Sequence, residues 1–132
     1  MELTDAEFQR QFENLTLSPD HFDHRGHLRI AWLYLKQDSL VIAIEKVCGG
    51  ISRYATSLGA TDKFHHTVSE ATVRIMAQRL TEQPAKTFDS FLAANQDLQA
   101  DLLGVLSRYY SDEQLHCEAA KRAFQTPDLN PY

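Results

Sequence analysis

DSLVIAIEKVCGGISRYATSLG, residues 38 to 59, is the stretch whose reading decides the fold. Leu40, Ile44, Val47, Cys48, Ile51, Tyr54, Ala55 and Leu58 recur at spacings of three and four, the period of a helix with one apolar face. Asp38 or Ser39 in front and Gly59 behind are its start and stop signals, so the spacing predicts about five turns of amphipathic helix. Gly49 and Gly50 lie in its interior, where each costs roughly 1 kcal/mol against alanine; close approach of a neighbouring helix is the expected compensation.

Upstream, LRIAWLYL (28 to 35) is apolar nearly all round, the composition of a helix buried on most of its faces. Eight such residues also fit a strand, but Asp23 supplies an N-cap and the context favours helix, with Ser18 before Pro19 marking an earlier, shorter start. Thr4 with Glu7 forms a capping-box pattern, and Phe8, Phe12 and Leu15 predict a short helix near 5 to 14. Downstream, Asp62 opens a helix with Phe64, Val68, Ala71, Thr72, Ile75, Met76 and Leu80 inward. Pro84 opens another with Phe88, Phe91 and Leu92, and a further stripe runs from Leu98 through Leu102, Leu103 and Leu106 to Tyr109 and Tyr110. Ser111 with Gln114 starts a last short helix through Phe124, and the prolines of TPDLNPY make 126 to 132 an extended tail. Sustained alternation, hairpin dipeptides and internal repeats are absent from the sequence. The expected fold is all-α: a single compact bundle of about six helices spanning residues 1 to 132.

A chain of 132 residues with 43% hydrophobic and 23% charged residues is long enough to bury a core without disulfides. Its formal charge of −5, with thirteen basic residues scattered singly, offers no stripe for phosphates, so nucleic acid is set aside as a partner. No stretch reaches the roughly 18 consecutive apolar residues of a membrane span, and MELTDAEFQR is polar and acidic, unlike a signal peptide; no membrane partner and a cytoplasmic location are expected. Cys48 and Cys117 show no C-x-x-C spacing and read as reduced thiols.

Five of the six histidines fall in two tight groups, His21, His24 and His27 before one apolar helix and His65 with His66 at the start of another. Imidazole titrates near neutrality and binds transition metals, so such grouping suggests chemistry. From a start at Asp23, His24 and His27 head a stripe through Leu28, Ala31 and Leu35, and His65 heads one through Val68, Thr72 and Ile75. Three readings stay open. If the two helices meet, His24, His27 and His65 supply three nitrogens, with Glu70, Asp20, Asp23 or His66 as a fourth ligand, and the cofactor would be a divalent transition metal with an open coordination position. No H-E-x-x-H, E-x-x-H or cysteine set supports that reading. In the second reading the same three histidines act without metal, as donors or as acid and base facing an organic anion, supported by Arg25 and Arg29 beside the first group, Arg53 on the long helix, Lys63 beside the second group and the free N–H groups of helix N-termini. In the third, the histidines are caps and buried hydrogen-bonding groups.

The blocks HRGHLRIAWLYL (24 to 35), KFHHT (63 to 67), RYYS (108 to 111) and TPDLNP (126 to 131) together resemble a family of small, uncharacterised helical bacterial proteins. The resemblance spans most of the chain and matches it at His24, Arg25, His27, His65, Thr67, Tyr110, Pro127 and Asp128, while His21 and His66 are not among the matched positions. It implies a shared site, with Thr67, Tyr110 and Asp128 joining the histidines, and it implies no activity. Asp128, between Pro127 and Leu129, is expected to fold back over the pocket or pair with Arg25.

The leading functional expectation is a pocket at the N-terminal ends of the helices beginning near 24 and 65, in a metal-dependent or histidine-based enzyme acting on a small polar, anionic metabolite. The rival is a non-catalytic binding or interaction module, a homodimer through LRIAWLYL, which an exposed apolar patch on that helix would favour.

Overall fold

In the computed structural model, which describes residues 3–132, the decisive stretch is helical from Leu40 to Ser57, and the Ser39 hydroxyl accepts the Ile42 N–H at its start. All regular structure among the described residues is helical: α1 (Asp5–Glu13), α2 (His24–Gln37), α3 (Leu40–Ser57), α4 (His66–Glu82), α5 (Phe88–Ala94), α6 (Gln96–Ala100), α7 (Leu102–Leu106), α8 (Asp112–His116) and α9 (Glu118–Arg122), with 3-10 turns at Pro19–His21 and Thr61–Lys63. The all-α fold is therefore as the sequence reads. No helix among the described residues is long and apolar enough to cross a membrane.

Among the described residues, nine short and long helices replace the expected six because polar residues break the later stripes. Asn95 and Asp101 adopt non-helical backbone angles; the Asn95 amide donates to the Phe91 carbonyl and the Asp101 carboxylate accepts from the Gly104 N–H, each offering the chain an alternative to helical bonding. Cys117, in extended backbone, separates α8 from α9. The helix assigned to Asp62 begins instead after His65, because Thr61–Lys63 forms a 3-10 turn and His65 caps α4. Pro84 likewise precedes its helix, whose cap is Thr87 in a reciprocal box with Ser90.

The chain divides into two compact units, Met1–Phe64 and His65–Tyr132. In the first, α1 lies against α2 and α3, and α2 runs alongside α3. Phe8, Phe12, Leu28, Ile30, Val47 and Tyr54 are all at most 4% exposed and form its core. Phe22 sits between Phe12 and Tyr54, with ring centroids 5.1 and 4.8 Å away, and the buried Tyr54 hydroxyl donates to the Leu17 carbonyl at 2.7 Å, drawing the α1–α2 connection onto α3. Burial of six aromatic and aliphatic side chains at roughly 1.5–3 kcal/mol each makes this cluster the main stabilising feature of the unit. Leu40 and Leu58, at the two ends of the α3 stripe, are exposed, because the apolar face outruns the helices that cover it. The LRIAWLYL helix carries no exposed apolar face: Leu28, Ile30, Ala31, Trp32, Leu33 and Tyr34 are buried, so the surface offered for a homodimer is already covered.

In the second unit, α4 packs against α7 and α9, and Ala71, Val73, Ile75 and Met76 along it are buried. The Arg79 guanidinium forks onto the Asp97 carboxylate at 2.6 and 2.8 Å and also donates to Asn95, tying α4 to the α5–α6 corner.

Candidate functional site

Asp23 builds the first site. Its carboxylate accepts the Gly26 N–H at 2.9 Å and caps α2, and its carbonyl accepts the His27 N–H in the first helical turn. Position 27 is then the fourth residue of the helix and Phe22 the residue before the cap, the two positions of a hydrophobic staple. Phe22 and His27 make that contact as stacked rings, with centroids 4.0 Å apart. Gly26 is required by the same turn: a Cβ there would lie 2.5 Å from the His21 carbonyl oxygen.

The orientation of His27 fixes its chemistry. Its Nδ1 lies 2.8 Å from the Asp23 carbonyl oxygen, and since a carbonyl only accepts, Nδ1 carries the proton. Burial pushes the imidazole below its ordinary value of 6.5, and the electrostatic influence of the neighbouring His24 acts in the same direction, against the pull of the Asp23 carbonyl and carboxylate. The ring is thus neutral at pH 7 with a bare acceptor at Nε2. His27 lines a cleft of about 220 Å³ whose walls include Phe22, Ile51, Tyr54 and Phe64, with Lys63 as its cation. Among the described residues the Lys63 side chain makes no ion pair or hydrogen bond.

The other members of the first histidine group stand elsewhere. His24 is exposed, because the first turn of α2 projects past the core, so it does not head the buried stripe. Arg25, Arg29, His21, Asp20 and Asp23 line a separate polar cleft of about 250 Å³. Arg29 there is already engaged: it donates to Asp5 at 2.7 Å and to the Leu3 carbonyl at 2.8 Å, and its guanidinium lies over Phe8. With two carboxylates in the same lining, this cleft is a poor anion site, against the expectation for Arg25 and Arg29.

In the second unit the expected site residues hold structure together. His65 caps α4 through Nδ1, which accepts the Val68 N–H at 3.1 Å, so its proton is on Nε2 and is donated to the Leu115 carbonyl at 3.0 Å. Burial lowers the His65 pKa as well. The expectation that His65 points inward from a helical position gives way to a capping role with both ring nitrogens bonded. Thr67, fully buried, donates to the Ala123 carbonyl and accepts the Gln125 N–H. Glu70 is held on one side by His66 Nε2 at 3.1 Å and on the other by Arg74 at 3.0 Å, and Arg74 lies over the Phe124 ring. The Tyr110 hydroxyl donates to the Gln125 carbonyl and pairs with the Tyr132 hydroxyl at 2.8 Å.

The tail is extended and strapped to this unit. Asp128 folds back onto Ser111, accepting its N–H at 2.9 Å and its hydroxyl at 2.6 Å at the start of α8, rather than onto Arg25. Leu129 and Asn130 donate to the carbonyls of Tyr109 and Arg108. The metal set His24, His27, His65 and Glu70 is divided between the two units. Taken singly, neither unit brings three His, Cys, Asp or Glu ligand atoms together among its described residues.

Sequence reasoning found His27 and named Lys63 as a cation for an anionic ligand, but missed Phe22, Tyr54 and Phe64 as the surroundings of His27. The Phe22 contact was available as a staple one residue before the Asp23 cap and four after it. Comparison with protein families, with characterised proteins and with solved structures finds no match to this chain.

Proposed function

We propose that the chain is a small-molecule-binding protein whose ligand enters the cleft beside His27 and gives a hydrogen bond, or a proton, to His27 Nε2. The observation that carries this reading is the 2.8 Å contact from Nδ1 to the Asp23 carbonyl, which leaves Nε2 as the acceptor. A neutral imidazole held by a carbonyl on its far side is the arrangement of an oriented base: the same carbonyl and the Asp23 carboxylate favour the imidazolium once a proton arrives. The apolar walls strengthen that bond by excluding water from it. Among the described residues, the other polar side chains in the lining are Tyr54, whose hydroxyl is directed to Leu17, and Lys63. With no nucleophile or second acid in the lining, binding with proton acceptance is the activity the geometry favours over turnover.

The test is a titration of isotope-labelled protein with phenol, a neutral one-ring probe with a single strong donor. Saturable resonance changes at His27, Phe22 and Tyr54, abolished in Ala55→Trp, which fills the cleft, support the reading. Absence of any saturable change at those three residues overturns it.

A further inference from the structure

Resting on the His27 reading, we infer that the ligand class is a one-ring aromatic acid carrying a ring hydroxyl, with its hydroxyl on His27 Nε2 and its carboxylate directed to Lys63. Size sets the first limit. A dry cavity of roughly 150 Å³ suffices for benzene, so a cleft of about 220 Å³ matches one six-membered ring with small substituents. Wall chemistry sets the second: Phe22, Tyr54 and Phe64 present aromatic surface from three different segments, which favours a flat π-system through offset and edge-on packing.

Charge sets the third. Lys63 is exposed at the cleft and makes no side-chain bond of its own among the described residues, so a cation without a counter-ion borders an otherwise apolar cleft. Asp20 and Asp23, the carboxylates nearest in sequence to the His27 wall, line the separate polar cleft and leave this one without an acidic lining residue. An anionic substituent is therefore attracted, and a cationic one gains nothing. The fourth limit is directional: a bare Nε2 needs a donor, which a carboxylate does not have and a phenolic hydroxyl does.

The experiment measures affinities of the full chain for 4-hydroxybenzoate, benzoate and phenol by calorimetry, with His27 resonances followed in parallel. The expected order places 4-hydroxybenzoate about three- to fivefold tighter than phenol, the scale of one solvent-exposed ion pair. That gain should vanish in Lys63→Gln and in about 1 M salt, where exposed charges are screened beyond about 3 Å. Benzoate should bind more weakly than 4-hydroxybenzoate, for want of a donor to Nε2. Phenol binding as tightly as 4-hydroxybenzoate, or an unchanged preference in Lys63→Gln, overturns the aromatic-acid inference and leaves the His27 site standing. No response of His27 to any of the three probes overturns both.

Discussion

Alanine at two adjacent glycines should move stability in opposite directions. At Gly50 an added Cβ would lie 2.6 and 2.7 Å from Cε2 and Cζ of Phe12, a ring that is 1% exposed and packed against Phe22 and Tyr54. Ordinary carbon contacts start near 3.5 Å, so the ring must retreat by roughly 1 Å into neighbours with no room to give. Overpacking of that kind costs about 1–3 kcal/mol. At Gly49 the added Cβ meets only Nη1 of Arg53, at 3.2 Å, the far end of an exposed and flexible chain. Both substitutions gain about 1 kcal/mol of helix propensity, and that shared gain cancels in the comparison. Gly49→Ala should therefore stabilise by up to about 1 kcal/mol and Gly50→Ala should lie about 1–3 kcal/mol below it. Urea unfolding followed by the fluorescence of Trp32, the single tryptophan of the chain and a member of α2 in the same unit, reads the difference directly. Equal midpoints for the two variants would refute the close approach of α1 to α3 on which the wall of the His27 cleft depends.

Thr67→Val should destabilise the second unit by about 1–3 kcal/mol, because the Ala123 carbonyl and Gln125 N–H lose their buried partner, and amide exchange at Gln125 should accelerate; unchanged exchange would contradict the clamp. Asp128→Ala should speed exchange at Ser111 and loosen the start of α8. Because the Ser111 hydroxyl and N–H hold the Asp128 carboxyl below its ordinary value of 3.8, its contribution is present above that value and is lost as pH falls through the depressed one. His27 and His65 impose a second pH dependence. Both bind protons more weakly folded than unfolded, so stability rises with pH between their depressed folded values and the ordinary 6.5, and falls on acidification through that interval. Denaturant midpoints across weakly acid pH should show this slope, and His27→Gln should flatten it; an unaltered slope would contradict the burial assigned to His27.

The parts of the fold that were legible in the sequence are those fixed by local chemistry. Thr4, Asp23, Ser39 and Ser111 cap helices as their positions imply, and the three-and-four spacing of residues 40 to 58 is a helix. Asp62 and Pro84 misled because a cap acts only where the following backbone is helical, and the 3-10 turn at Thr61–Lys63 and the segment before Thr87 intervene. One such slip reassigned His65 from a helix face to a cap, with both ring nitrogens bonded. Of the glycine pair, only Gly50 meets another helix, because the two residues point about 100° apart and α1 lies on one side. The roles of Arg29, Thr67 and Asp128 were not legible, since Leu3, Asp5, Ala123, Gln125 and Ser111 are brought to them by tertiary folding and no spacing encodes those meetings.

The central claim is that His27 is a neutral imidazole protonated on Nδ1, with Nε2 open to the cleft. Long-range nitrogen–proton correlation of the histidine rings at neutral pH measures this directly. The account requires a pyrrole-type signal for His27 Nδ1 and a pyridine-type signal for Nε2, the latter moving when phenol is added. A His27 ring protonated on Nε2 alone, or on both nitrogens, would contradict it.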